Sequence, residues 1–580
     1  MPITDRPTDY GDPEFGRFLR LTFSGLHGWS TEDLASRPLI GICNTESEVN
    51  RCHAHFGTLV EAIKAGVIAA GGIPLTFPTI SIGEVFVHPT SMLLRNLAAM
   101  DTEMMIKAQP LDGVVLLGAC DKTIPAQLMG LASANVPALV VSGGPMANGS
   151  YGGKTLGACS DCRSYWQDFR AGAITAEELG KVGQELTPGV GHCMVMGTAS
   201  TMAVVTEAIG MMLSGGAAIP ASHQARRQHA FASGRAIVRL ATGHVRPRDL
   251  LTGSALHNGV VALLAVGGST NAIIHLLALA GRLDVPLTLD DIDRLSRQVP
   301  ILANLRPVGQ YQVEDFYRAG GVPALLRELT DLLDVSASTV DGEPLGALLT
   351  DRRPTGSADV IRARSHPVHP SGGVTVLRGN LAPRGAVIKD KAATGSLLEH
   401  TGPALVFESL ADLEDRLDDP ALPVTPGSVL VLRNVGPVGA PGMPEAGSFP
   451  IPRKLLGQGI RDVVRLSDAR MSGTAGGTVV LHIAPEAYVG GPLGLVQDGD
   501  LIELSVKQRK LNLLVASTEL ERRAETWSPP AIERPARGYE WLYVNHVTQA
   551  DEGCDFDFLR GRHADANQGA EMPPMKGRSG

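Results

Sequence analysis

Between Arg37 and about Thr350, short apolar runs alternate with stretches of helical period. Pro38-Leu39-Ile40-Gly41-Ile42 reads as a strand, His55 to Ala70 as a helix, and Gly113 to Leu117 as the next strand. Val136-Pro137-Ala138-Leu139-Val140-Val141 follows and is stopped by Ser142-Gly143-Gly144-Pro145. Pro137 has no N–H to give to a ladder, which confines its strand to an early or edge position. Strand and helix in alternation predict a parallel sheet with crossover helices, an α/β arrangement. Such sheets carry their chemistry beyond the C-terminal ends of the strands, which draws attention to the residues after Leu117.

From Asp351 to Gly373 the periodicity lapses into Arg, Pro, Ser and His, the texture of a linker or exposed excursion. Beyond it come the short β-type runs Val374-Thr375-Val376-Leu377, Ala386-Val387-Ile388, Ser428-Val429-Leu430-Val431-Leu432 and Thr478-Val479-Val480-Leu481, separated by Gly and Pro turns. They predict a mixed, β-barrel-like domain. The expected organisation is an N-terminal α/β domain over residues 1–370 and a β-rich domain over residues 371–580, with a polar, mobile tail after Arg560. The most apolar stretch, Thr198 to Ala221, is interrupted by Glu207, Gly215, Gly216 and Pro220 and reads as a buried helix rather than a membrane span.

Composition narrows the function classes. A chain of 580 residues is longer than one core usually organises. Its net charge of -9 and 4% aromatic content give no basic face or stacking platform for nucleic acid, and no membrane partner is expected. Met1-Pro2-Ile3-Thr4-Asp5-Arg6-Pro7 lacks the basic and apolar regions of a secretory signal, so a cytoplasmic protein is expected. The seven cysteines are then free thiols or metal ligands rather than a disulfide framework.

At the end of the third predicted strand stands Gly118-Ala119-Cys120-Asp121-Lys122-Thr123. Cys120 offers soft sulfur to iron or zinc, and Asp121 hard oxygen to magnesium, so adjacent residues can serve two metals. Cys52, Cys120 and Cys193 each lie in a Gly-rich or polar junction, too far apart in sequence for a zinc knuckle but suited to three loops at one sheet edge. Three thiolates can hold an iron–sulfur cluster with one iron left open. Cys159-Ser160-Asp161-Cys162 has no second pair and no His at ligand spacing, and reads as a surface feature; Cys43 and Cys554 read as non-ligands. Glu84 and Glu445 sit in turn-rich segments and, with Asp121, would complete a hard-oxygen site. Met471-Ser472-Gly473-Thr474-Ala475-Gly476-Gly477-Thr478 is, by pattern alone, a Gly-rich turn that could expose a hydroxyl.

Together these segments resemble the family of dihydroxy-acid and sugar-acid dehydratases, from about Pro38 to Ala516. The resemblance rests on Cys52, Cys120-Asp121-Lys122-Thr123, Gly191-His192-Cys193, Gly197-Thr198-Ala199-Ser200-Thr201-Met202 and Gly267-Gly268-Ser269-Thr270-Asn271-Ala272. It continues through Gly379-Asn380-Leu381-Ala382-Pro383, Pro441-Gly442-Met443-Pro444-Glu445 and Asp468-Ala469-Arg470-Met471-Ser472-Gly473-Thr474. It implies that Cys52, Cys120 and Cys193 hold the cluster, a two-iron form favoured over a four-iron one. It further implies that Glu84, Asp121, Glu445 and a carbamylated Lys122 surround magnesium, and that Ser472 is the base, supported by Thr474. Lys122 left uncarbamylated is the alternative base.

The implied reaction removes a proton from C2 of a 2,3-dihydroxy acid and hydroxide from C3, and the enol becomes a 2-keto-3-deoxy acid. Thr79-Ile80-Ser81-Ile82-Gly83-Glu84 looks like the sugar-acid branch, which implies an aldonate such as a pentonate. The alternatives are a dihydroxy-acid dehydratase of branched-chain amino-acid synthesis and, in another class, a non-catalytic iron–sulfur sensor. Glu46, Arg51 and His53 depart from the family pattern beside Cys52 and bear on the substrate. A homodimer or homotetramer is expected by the same resemblance.

Overall fold

The computed structural model describes residues 12–24, 28–350 and 357–561. The N-terminal part is built on a four-stranded parallel sheet of order β2-β1-β3-β4, with β1 Leu39–Asn44, β2 Ile73–Pro78, β3 Gly113–Gly118 and β4 Ala138–Ser142. Every residue of β3 and β4 is buried. That explains their unbroken apolar runs, because a parallel sheet is covered on both faces. β4 is an edge strand and begins just after Pro137, as the proline requires.

Helix Phe56–Ala69 crosses Gln224–Thr242 at two glycines. A Cβ on Gly66 would come within 2.0 Å of the Phe231 carbonyl oxygen, and one on Gly234 within 2.2 Å of that of Ile63. Only glycine lets the two backbones approach so closely. Helix Thr198–Ala208 is buried along its whole length, and no helix among the described residues is long and apolar enough to cross a membrane. A small antiparallel hairpin, β5 Gly149–Tyr151 and β6 Lys154–Leu156, leads into helix Ser160–Arg170.

The predicted excursion is pinned at two places: Ile361 bridges Ala303 and His369 bridges Ile301. Residues 351–356 of that stretch, and the tail from residue 562, lie outside the described residues. The C-terminal part is a closed mixed barrel of order β10-β11-β12-β8-β7-β14-β13-β9. Its strands are β7 Thr375–Gly379, β8 Ala382–Ile388, β9 Glu399–Phe407, β10 Val429–Leu432, β11 Val464–Ser467, β12 Val479–Ala484, β13 Leu501–Ser505 and β14 Lys510–Leu513. Val429, Val431, Val464 and Leu466 pack with Leu377, Ile388 and Leu504 in one core, whereas Leu430, Leu432 and Phe407 pack in a second with helix Leu410–Arg416. The period-two side-chain alternation of strands sorts them.

Candidate active site

β3 runs out at Gly118, and Ala119 to Lys122 turn beyond it before helix Thr123–Ala134 begins. His53 holds this turn. Its Nε2 accepts from the backbone N–H of Ala119 (3.3 Å) and Cys120 (3.2 Å), while its Nδ1 lies 2.9 Å from the Thr45 carbonyl oxygen. These partners assign the neutral tautomer protonated on Nδ1. Burial, the largest influence, pushes His53 down to about 3 and keeps it neutral. Glu46 accepts from the N–H of Gly57 at the start of helix Phe56–Ala69 (2.9 Å), and Arg51 donates to Thr187 Oγ1 (2.7 Å). Glu46, Arg51 and His53 therefore each tie this loop to a neighbouring segment.

Lys122 is fully buried, with its ammonium 3.1 Å from Glu84, 3.8 Å from Glu445 and 4.0 Å from Asp121. One oxygen of each carboxylate lies within 4.8 Å of the others. Burial alone would lower Lys122, but the carboxylates outweigh it and raise it. Burial also raises Asp121 to about 7, and the neighbouring Glu84 and Glu445 add to that rise. Glu84 feels the same burial, yet Lys122 and Arg470 hold it below its usual value. Arg470 reaches Glu445 at 3.0 Å, Asn271 donates to the same oxygen at 2.9 Å, and Ser91 makes a short hydrogen bond to Glu84. Three carboxylates thus face two cations, a hard-oxygen set with one negative charge in excess, and this fits a divalent metal such as magnesium.

The thiols collect beside this set. Cys52 lies against Cys120, and that contact, with burial, pushes its pKa well above the usual thiol value. Cys193 is drawn down by its contact with Cys159 but driven up more by burial and by the charges of Asp121, Cys52 and Cys120. Crowded thiols that resist ionisation alone are suited to bridging cations, and three sulfurs from three loops fit a cluster. The C-x-x-C pair is not the surface feature expected: Cys159 Sγ lies 3.3 Å from Cys193 Sγ. Cys43 is buried on β1 with its thiol on Thr79, and Cys554 is buried against Met443.

The barrel contributes the third component. Ser472 Oγ and Thr474 Oγ1 are 2.9 Å apart in the turn after β11. The turn presses on the N-terminus of helix Thr198–Ala208: a Cβ on Gly473 would meet Ser269 Oγ at 2.5 Å and the Thr198 nitrogen at 2.9 Å, and one on Gly197 would meet Thr474 at 2.7 Å. Asn271 links Thr198 Oγ1 (3.2 Å) to Glu445, tying turn, helix and carboxylates together. Lys389 donates to the Gly473 carbonyl at 3.3 Å, and burial lowers it to about 7. A cavity of about 590 Å³ opens beside Thr474, Ala475 and Gly476, rimmed by Arg163, Arg170 and Arg306. Lys389 has no signal in the sequence, and the motifs that contain Asn271, Arg470 and Cys159 do not show the contacts these residues make across the chain.

A metal-suited carboxylate set thus lies beside clustered thiols, in a chain that joins an α/β sheet to a closed mixed barrel. The chain belongs to the dihydroxy-acid/6-phosphogluconate dehydratase family, whose N-terminal part matches residues 37–348 and whose C-terminal part matches residues 359–554. It is 46% identical over 572 residues to an L-arabonate dehydratase of Azospirillum brasilense, covering 97% of each chain. A 6-deoxy-6-sulfo-D-gluconate dehydratase of Pseudomonas putida is 45% identical, covering 94% of each. A dihydroxy-acid dehydratase of Halothermothrix orenii is 38% identical, covering 89% of this chain and 94% of that protein. The family resemblance and its sugar-acid leaning read from the motifs are borne out.

Proposed function

We propose that this hydro-lyase dehydrates a sugar acid, an aldonate and specifically a pentonate, to its 2-keto-3-deoxy acid. Cys52, Cys120 and Cys193 hold an iron–sulfur cluster of the two-iron type, and Glu84, Asp121, Glu445 and a carbamylated Lys122 hold magnesium. The observation that carries the reading is the meeting of three thiols, three carboxylates and the Ser472 turn at one junction. When bound, magnesium and an open cluster iron supply Lewis acidity toward the C2 and C3 oxygens of the substrate.

Ser472 Oγ takes the C2 proton, with Thr474 Oγ1 fixing its hydroxyl. The nearby N-terminus of helix Thr198–Ala208 favours the alkoxide through its unpaired N–H groups. Lys389 secures the same turn through the Gly473 carbonyl. Hydroxide leaves C3, and the enol tautomerises to the keto acid. Among carboxylates Lys122 keeps its proton and is a poor base, which favours Ser472 in that role. Once relieved of that proton by a competing cation, its neutral amine adds carbon dioxide, gives up a second proton to solvent and becomes an anionic carbamate oxygen donor.

Greater identity to the two sugar-acid dehydratases than to the dihydroxy-acid enzyme favours an aldonate. Val85 and Phe86, next to Glu84 and 86% and 81% exposed, support a homodimer or homotetramer that covers them. The test is keto-acid formation by anaerobically purified protein with magnesium, across L-arabinonate, D-xylonate, D-gluconate, 6-phosphogluconate and 2,3-dihydroxyisovalerate. Pentonate turnover is expected, falling about a hundred- to ten-thousand-fold in Ser472→Ala. Preference for 2,3-dihydroxyisovalerate overturns the substrate class. An intact cluster with no turnover of any of the five overturns the pentonate assignment and leaves a sensor or an acid outside the panel as the leading reading.

A further inference from the structure

The dehydration leaves Cys159 and Cys162 unused, yet their sulfurs continue the line of thiols outward from the cluster position. Cys159 Sγ is 3.3 Å from Cys193 Sγ, and the Cys162 thiol lies 3.2 Å from the Cys159 carbonyl oxygen, one helical turn away. Cys159 is the N-cap of helix Ser160–Arg170 with φ +71°, a left-handed conformation that a side-chain-bearing residue adopts only when its surroundings impose it. That backbone turn aims its sulfur inward at Cys193.

We propose that Cys193, Cys159 and Cys162 form a thiol–disulfide relay that protects the cluster-binding cysteine when the cluster is absent and then returns it to the reduced state. The inference rests on the proposed cluster role only in calling Cys193 a ligand. A low-molecular-weight disulfide such as oxidised glutathione is the oxidant. Cys159 thiolate attacks one of its sulfurs and expels one glutathione thiolate. Cys193 then attacks Cys159 Sγ and expels the second. The protein gives up two electrons and two thiol protons, and one disulfide becomes two thiols. Cys162 thiolate next attacks Cys159 Sγ, the Cys159–Cys193 bond breaks, and Cys193 leaves as a thiolate ready for iron. An external dithiol finally reduces Cys159–Cys162 and is itself oxidised.

The experiment uses full-length protein stripped of iron by a chelator under anaerobic conditions, treated with oxidised glutathione and mapped by non-reducing proteolysis and mass spectrometry. Wild type is expected to yield both Cys159–Cys193 and Cys159–Cys162 links. Cys162→Ala should retain only the first, with recovery of free Cys193 by a dithiol protein slowed at least about tenfold. Cys159→Ala should carry glutathione on Cys193 with no internal link. Wild type that carries glutathione on Cys193 while Cys159 stays free overturns the relay. So does Cys162→Ala that recovers at the wild-type rate. Iron and sulfide content after reconstitution is read separately, so a protein that forms the links but binds no cluster refutes the cluster assignment and leaves the relay standing.

Discussion

The imidazole of His53 spans two loops, with Nδ1 on Thr45 and Nε2 on two backbone N–H groups next to Cys120. Removing it leaves those N–H groups buried and unpaired, at a cost of about 1–3 kcal/mol for each. His53→Ala should lose most of its iron and sulfide on anaerobic purification; full retention would show that other contacts hold the turn. Lys389 gives a pH signature. Buried and lowered to about 7, it stays neutral in the folded state above that pH, whereas the unfolded chain keeps it protonated to its usual 10.5. The unfolded state then binds more protons between these values, so stability rises with pH there. Relative to Lys389→Met, wild type should gain about 2 kcal/mol between pH 7 and 9, read from paired thermal or denaturant unfolding. A constant difference over that range refutes the depressed lysine.

At the scale of elements, the crossing of helices Phe56–Ala69 and Gln224–Thr242 is set by Gly66 and Gly234. Gly66→Ala should destabilise by about 1–3 kcal/mol, because its methyl meets backbone that cannot move aside. Chemical denaturation measures this, and an unchanged midpoint would mean that the helices slide apart freely. The same scale decides what was legible in the sequence. β1, β3 and β4 announce themselves because burial on both faces leaves continuous apolar runs. β2 escapes notice because Ile73–Pro78 carries two prolines and an exposed threonine at a sheet edge. β9 and β13 escape because exposed and buried residues are mixed along them. Cys120 and Asp121 are readable because they are adjacent in sequence. Cys159 is misread because its partner is not in its own motif but in the loop of Cys193.

Over the whole molecule, the carboxylate set is shared: Asp121 follows the sheet, Glu84 lies in the loop before helix Arg95–Ala108, and Glu445 comes from the barrel side. Metal held there stabilises the assembled protein by mass action, about 2.7 kcal/mol at a hundredfold excess over Kd. Magnesium should therefore raise the melting temperature of wild type and not of Glu445→Gln. An equal rise in both would place the cation elsewhere. The interlock of Gly197 with Thr474, and of Gly473 with Ser269 and Thr198, has a further meaning for descent. Two parts whose glycines fit against facing side chains and the Thr198 nitrogen must be inherited as a matched pair. A chimera joining this sheet to a relative's barrel would be viable only where the incoming turn carries glycine at position 473, so recombination within the family is confined to exchanges that keep that seam.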